Sequence, residues 1–313
     1  MDIERWIHHL RDADFYRGQI VHRRDRAARA PGVGDGWPGV SNRLANALCE
    51  MGLQAPFRHQ EDALKTLWEG KDIVLTGAPA GGKSTAWRVA AAEAALGSPG
   101  ENTLILSPYK AASQAGARWF RRLAQRIPEL GPAFGTYDGD TPRGQRRDMP
   151  RRRIVLTNPD MLHRVMLPKH MRWAEFFGRL RFVVLEGVHA YSGLFGANCA
   201  GLLRRLERVC RHHDSCPQVA ASSSTLSNPT EQLQRLTDRS PRTIEMPHAP
   251  RGDRTYLLWV SHSAPPTVEA GRLVGEFVRG GVGAIAFSRS RVSCELIARY
   301  ARRHLSDEPD GSA

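Results

Sequence analysis

The sequence predicts an α/β fold, a mostly parallel sheet covered by helices on both faces. Three observations carry this. From Ile73 onward, short apolar runs alternate with longer helix-patterned ones, the order of a βα fold. The apolar runs are nearly continuous, as strands buried on both faces require. Between the first run and an alanine-rich helix lies Gly77-Ala78-Pro79-Ala80-Gly81-Gly82-Lys83-Ser84. A glycine, four residues, then Gly-Lys-Ser is the pattern of a phosphate-binding loop.

Taken in order, the residues up to about 55 form an extension. Tyr16 to Arg26 is polar and strongly basic, and Ala30 to Ser41 is rich in Gly and Pro and reads as loop. Ser41 is placed to cap a helix carrying Leu44, Ala47 and Leu48. Pro56-Phe57-Arg58-His59-Gln60 opens another helix through Leu67. Strands are then expected over Ile73–Leu75, Thr103–Leu106, Ile154–Leu156, Phe182–Leu185 and Gln218–Ala221. Helices fall between and after them, at Ala111–Ile127, Ala197–His212 and Pro229–Leu236. A Pro/Arg-rich stretch follows, Ser240 to Arg254, then a strand over Thr255–Val260 and a Ser/Pro linker. A second βα pattern begins with a helix near Val268–Arg279, a strand Gly283–Phe287, a helix Val292–Leu305 and a polar tail, Ser306 to Ala313. The expected division is an extension over 1–55, a nucleotide-binding domain over 56–245, a linker over 246–266 and the start of a second domain over 267–313. One strand and two helices are too little for an independent core.

Composition bounds the function. At 313 residues, 41% of them hydrophobic, the chain has material for a substantial core. The net charge of +13, mostly arginine, points to a polyanionic partner or to an arginine-rich coding bias with a soluble surface. No apolar run approaches the roughly 18–20 residues that span a bilayer, and the first residues lack the apolar centre of a signal peptide. The 5 cysteines are scattered, which fits reduced thiols in a cytoplasm. Cys210, His212, His213 and Cys216 lie close in sequence but match no zinc spacing, so a polar loop is expected there.

The loop's chemistry needs each of its parts. Gly77, Gly81 and Gly82 let backbone N–H groups curl around phosphates at a helix N-terminus. Lys83 reaches the β- and γ-phosphates, and the Ser84 hydroxyl ligates Mg²⁺. Doubly wound sheets place ligands at the C-terminal strand ends. There the sequence sets Ser107-Pro108-Tyr109-Lys110, Thr157-Asn158-Pro159-Asp160, Glu186-Gly187-Val188-His189 and Ser222-Ser223-Ser224-Thr225. An acid ending an apolar strand downstream of such a loop suits the hydration shell of Mg²⁺. The polar rims suit a phosphate backbone. Singly these clusters are ordinary βα turns; their order behind the loop is what carries weight.

That ordered set resembles the DEAD/DEAH-type superfamily 2 helicases. Phe57 to Gln60 is similar to the adenine-reading Q motif, with Gln60 as its glutamine, and Gly77 to Thr85 is similar to motif I. Pro108 to Lys110 resembles motif Ia and Thr157 to Asp160 motif Ib, both nucleic-acid contacts, with Lys110, Arg143 and Arg151 to Arg153 as supporting charges. Glu186 to His189 stands where motif II stands, and Ser223 to Thr225 where motif III couples nucleotide to nucleic acid. Ala286 to Ser290 resembles motif IV. Tyr16 to His22, Tyr137 to Pro142 and Thr157 to His163 narrow the resemblance to the bacterial YprA/MrfA branch. It implies a RecA-like ATP-binding domain followed by the start of a second one. It also implies ATP and Mg²⁺ as cofactors, Lys83, Glu186 and His189 as catalytic residues, and a 3′-to-5′ DNA helicase activity linked to repair.

The sequence also departs from that pattern. Motif II reads Glu-Gly-Val-His, with Gly187 where the family has the glutamate that orients the attacking water, and motif III has Ser224 for alanine. Losing such a water-positioner costs about 10²–10⁴ in rate. Motifs V and VI, with their arginine finger, and the branch's four-cysteine domain do not occur before Ala313. Two functions follow as expectations. One is a DNA-dependent ATPase or helicase completed by a separate chain. The other is a nucleotide-gated DNA clamp or regulatory subunit that hydrolyses slowly, with a truncated gene product as the remaining possibility.

Overall fold

The computed structural model describes residues 3–97 and 99–306. Of the tail expected over Ser306–Ala313 only Ser306 is among them, and Met1 and Asp2 of the extension also lie outside the described residues. Among those residues the strands are β1 (Ile20–Arg26), β2 (Ile73–Thr76), β3 (Asn102–Leu106), β4 (Phe134–Tyr137), β5 (Ile154–Thr157), β6 (Leu180–Glu186), β7 (Gln218–Ser223), β8 (Arg242–Glu245) and β9 (Arg254–Trp259). Contacts divide the chain into two units, Arg29–Arg251 and the combination of Met1–Ala28 with Gly252–Ala313.

The larger unit holds a seven-stranded sheet in the order β4-β5-β3-β6-β7-β2-β8, parallel throughout. The five strands read from the sequence are its five inner strands. The two missed ones, β4 and β8, are its edges. Each is four residues long, and β8 (Arg-Thr-Ile-Glu) carries charge as exposed edges do, so neither shows the continuous apolar run that marks an inner strand. Successive side chains go to opposite faces. Ile73, Leu75, Ile105, Ile154, Leu156 and Val184 join a core with Leu64, Trp87, Ala90 and Phe120. Val74, Leu104, Leu106, Val155, Val183 and Leu185 join a second core with Phe176, Leu203, Leu206 and Leu233. Ser41 caps helix Asn42–Glu50, its Oγ accepting from the Leu44 N–H at 3.4 Å. Because β7 lies between β6 and β2, the turns after these three strands come together along one edge.

In the smaller unit β1 pairs with β9 in antiparallel fashion, and helix Pro266–Arg279 packs against Arg291–Leu305. Helix Ile3–Asp12 adds Trp6, whose ring stacks on Phe277 with centroids 3.8 Å apart. The carboxylate of Glu269 is buried and accepts from Trp259 Nε1 at 2.6 Å and from the Ser263 hydroxyl at 3.1 Å. The strand expected over Gly283–Phe287 is not formed, and Ile285 and Phe287 stand exposed. Among the described residues no strand pairs with this segment, and an extended chain without a ladder has no backbone partners to hold it.

Candidate functional site

The phosphate-binding loop joins β2 to helix Lys83–Leu96. Gly77 (φ +154°) and Gly82 (φ +83°) occupy backbone conformations that favour glycine. A Cβ at Gly77 would stand 2.8 Å from the Met246 Cβ, and one at Gly82 2.6 Å from Gln60 Nε2. The loop is thus packed tightly from both sides and needs both glycines. Lys83 Nζ folds back to donate to the carbonyls of Gly77 (2.8 Å) and Ala78 (2.7 Å). Burial holds its ammonium below the ordinary lysine range. Phosphate oxygens offer that ammonium charged acceptors, which make hydrogen bonds about twice as strong as neutral ones. Thr85 adds its N–H to the Gly82 carbonyl at 3.1 Å, in the first helical turn.

Gln60 is brought directly onto this loop. Its side chain is buried. Nε2 donates to the Gly82 carbonyl at 2.9 Å, and Oε1 accepts from the Phe57 N–H at 2.9 Å. The amide therefore ties the Phe57–Gln60 turn to the start of the helix and keeps one N–H proton for a further partner.

Glu186, the last residue of β6, lies beside Ser84. The Ser84 hydroxyl donates to one carboxylate oxygen at 3.5 Å, the Ser107 hydroxyl donates to the other, and an Arg88 guanidinium nitrogen stands 3.9 Å away. Burial pushes the carboxyl above the ordinary glutamate range, and Ser107, Arg88 and Ser84 only partly pull it back. A buried, incompletely neutralised carboxylate next to a serine hydroxyl fits a hydrated Mg²⁺. Arg88 escaped the sequence reading. Its Nε is buried without a partner, and its guanidinium lies 5.0 Å from the centroid of the Trp87 ring. Burial holds its pKa below the ordinary arginine range. The available signal is an arginine within the otherwise apolar run Ala86 to Ala92.

Gly187 follows with φ +65°, and a Cβ there would find its nearest neighbours at 3.6 Å (His189 Cε1) and 3.9 Å (Pro108 Cγ). Space is available, and the backbone is what favours glycine. His189 Nδ1 and Ser223 Oγ are buried without partners. The Ser223 carbonyl accepts from the Gly77 N–H at 3.3 Å, while Thr225 is exposed. Ser223 therefore touches the loop through its backbone, and its hydroxyl remains available for another contact.

The rim residues divide. Pro108 is half-buried and Lys110 exposed, with Lys110 Nζ paired to Asp140 at 2.6 Å. Thr157 is buried and donates its hydroxyl to the Tyr137 carbonyl at 2.6 Å. The side chain of Asn158 caps the Met161 N–H at 2.9 Å, and Asp160 is exposed. Arg152 and Arg153 donate to the carbonyls of Pro132 and Ala95, whereas Arg143 and Arg151 face solvent. Away from the rim, His212 and His213 meet His170, with His170 Nδ1 3.1 Å from His213 Nε2. Cys210 is buried, its thiol pushed by burial up to about 11, and Cys216 is exposed. Arg205 and Arg208 line the same hollow as His170 and His212, a positive surround that opposes a dication.

The DEAD/DEAH box helicase family matches residues 57–233, which takes in the Gln60 turn, the loop, Glu186 and Ser223. The chain belongs to this family. Among its relatives are the ATP-dependent helicase YprA of Bacillus subtilis (31% identical, 86% of this chain, 37% of the relative) and the ATP-dependent helicase HRQ1 of Saccharomyces cerevisiae (30% identical, 96% of this chain, 29% of the relative). The solved structure of the DUF1998 helicase MrfA bound to DNA and AMPPNP superposes with a TM-score of 0.85 at 28% identity, covering 98% of this chain and 44% of that one. Within the family, these likenesses place the chain in the YprA/MrfA-like branch. It spans about a third of the length of these curated relatives. The sheet and its flanking helices are the RecA-like architecture of the family's helicase domains. No helix among the described residues is long and apolar enough to cross a membrane.

Proposed function

We propose that the chain binds ATP with Mg²⁺ at Gly77–Thr85 and DNA along the rim at Pro108, Lys110 and Thr157–Asp160, as part of an ATP-dependent 3′-to-5′ DNA helicase of the YprA/MrfA branch acting in DNA repair in the cytoplasm. The observation that carries the reading is the meeting of Ser84 and Glu186 beside a loop already gripped by Gln60. In it, Lys83 would bind the β- and γ-phosphates in place of the two loop carbonyls, Ser84 and Glu186 would hold the metal, and Phe57 and Gln60 would contact the base. DNA is single-stranded or a tailed duplex, held mainly by its phosphates. A second lobe closes over the γ-phosphate, contributed by further chain length of the kind the relatives have or by a separate chain. Hydrolysis is slow, because position 187 offers no side chain to orient water. That observation favours a second reading, a nucleotide-gated DNA clamp or regulatory subunit.

The test pairs equilibrium binding of a fluorescent ATP analogue with steady-state turnover in the presence of DNA. Mg²⁺-dependent binding that Lys83→Ala abolishes is expected, with little turnover. No nucleotide binding, or equal binding by Lys83→Ala, defeats the site assignment. Turnover at ordinary helicase rates, lost in Lys83→Ala, defeats the claim of slow hydrolysis.

A further inference from the structure

Beyond the rim at Pro159 and Asp160, helix Gly193–His212 and the segment from Pro159 to Arg164 enclose a groove of about 610 Å³. Arg164, Arg204, Arg205 and Arg208 line it. Arg208 lies four residues beyond Arg204 and three beyond Arg205, so it shares a helix face with each of them. Arg164, Arg204 and Arg208 are exposed, and no carboxylate pairs with any of the four among the described residues; Arg205 instead meets His163 Nδ1 at 2.8 Å. Neighbouring arginines on this side of the sheet are neutralised. Arg211 on the same helix pairs with Glu207, Arg239 with Asp72 and Glu207, and Arg235 with Glu231. Asp160 is the one acid lining the groove. Four guanidinium groups around one hollow repel one another and raise the local concentration of anions. The helix surface at Gly201 is open, so a backbone can approach closely.

The groove is not only basic. Phe195, 43% exposed, forms part of its wall. Its ring stacks on Tyr191 at 5.6 Å and 28°. Tyr191 is itself buried, its hydroxyl donating to the Leu106 carbonyl at 3.3 Å. An exposed aromatic ring backed by a buried one is a fixed platform, and bases stack on such rings whatever their sequence. Free guanidinium groups with an anchored aromatic ring match the two chemistries of a single strand, phosphates and base faces. An anionic membrane or an acidic protein surface gives no use to a ring set inside a groove.

We propose that this groove is a single-stranded nucleic-acid subsite, with Arg164, Arg204, Arg205 and Arg208 contacting phosphates and Phe195 stacking on a base. It extends the strand's path from Pro159 and Asp160 along helix Gly193–His212. The inference rests on the DNA-binding reading above and is tested separately from it. Fluorescence anisotropy of a labelled oligothymidylate is followed over a salt series with the full chain. For the double variant Arg204→Ala/Arg208→Ala, weaker binding is expected, with the salt slope reduced by about one per arginine. For Phe195→Ala the expected loss is about 5- to 150-fold with the slope unchanged, and Phe195→Trp retains binding. Unchanged melting temperatures of the arginine variants separate lost contacts from lost folding. If Lys110→Ala weakens binding while the groove variants bind as the parent does, DNA binding stands and the groove is overturned. A parent chain that binds no oligothymidylate overturns both, and one that binds only anionic vesicles assigns the groove to membranes instead.

Discussion

Placing a glutamate at position 187 gives the most direct test of what limits hydrolysis. Gly187 sits at φ +65° with no atom outside the adjoining residues closer than 3.6 Å to an added Cβ, so the first carbon of a Gly187→Glu side chain has room. Its cost is the left-handed backbone, about 1–2 kcal/mol for a residue with a side chain. In a unit the size of Arg29–Arg251 that corresponds to a fall of about 2–8 °C in melting temperature. Gly187→Ala pays the same backbone cost without the carboxylate and serves as the control. If water positioning is the missing element, Gly187→Glu exceeds Gly187→Ala in turnover by up to about 10²–10⁴, or about 3–5 kcal/mol of barrier. The assay is phosphate release with Mg²⁺-ATP and DNA, on both variants and the parent, with nucleotide affinity measured alongside. Equal turnover of the two variants at equal nucleotide affinity refutes the reasoning. A Gly187→Ala variant that melts with the parent refutes the backbone part of it.

Three further outcomes follow from individual contacts. Gln60→Ala leaves the Phe57 N–H without its partner and the Gly82 carbonyl with only the Thr85 N–H, so thermal melting should show a loss of about 1–3 kcal/mol together with weaker nucleotide binding. Glu186→Gln removes the charge proposed to hold the metal's hydration shell, and titration of Mg²⁺ against a nucleotide analogue should show an affinity for the metal about 10–100-fold lower. In the smaller unit burial pushes the Glu276 carboxyl up, but its bonds to His9 and His304, with Arg279 close by, hold it below the ordinary value of 4.5. Its stabilising contribution is therefore present above about 4.5 and lost as pH falls through the lower folded value; melting curves should show Glu276→Gln less sensitive than the parent in that acid window.

The sequence makes legible those parts of the fold that local chemistry dictates. Inner strands such as Ile105–Leu106 and Val183–Leu185 are buried on both faces and must be apolar throughout, so they announce themselves. Edge strands need only one buried side chain, as Ile244 in β8 shows, and they vanish among loops. The segment Gly283–Phe287 fails for the opposite reason. Its composition suits a strand, but a strand exists only where a neighbour supplies the ladder, and no local pattern encodes the neighbour. The same division holds at the site. Gly77, Gly82 and Lys83 are fixed by backbone geometry within one turn, and spacing reveals them. Arg88 and the grip of Gln60 on the Gly82 carbonyl arise from residues brought together by the sheet, and only the folded chain shows them. The arginines of helix Gly193–His212 are the sharpest case. In sequence Arg204, Arg205, Arg208 and Arg211 look alike, yet Arg211 has Glu207 beside it and the others pair with no carboxylate among the described residues. What separates a solvated charge from a candidate binding charge is thus the partner it lacks, a property of the surface and not of the string.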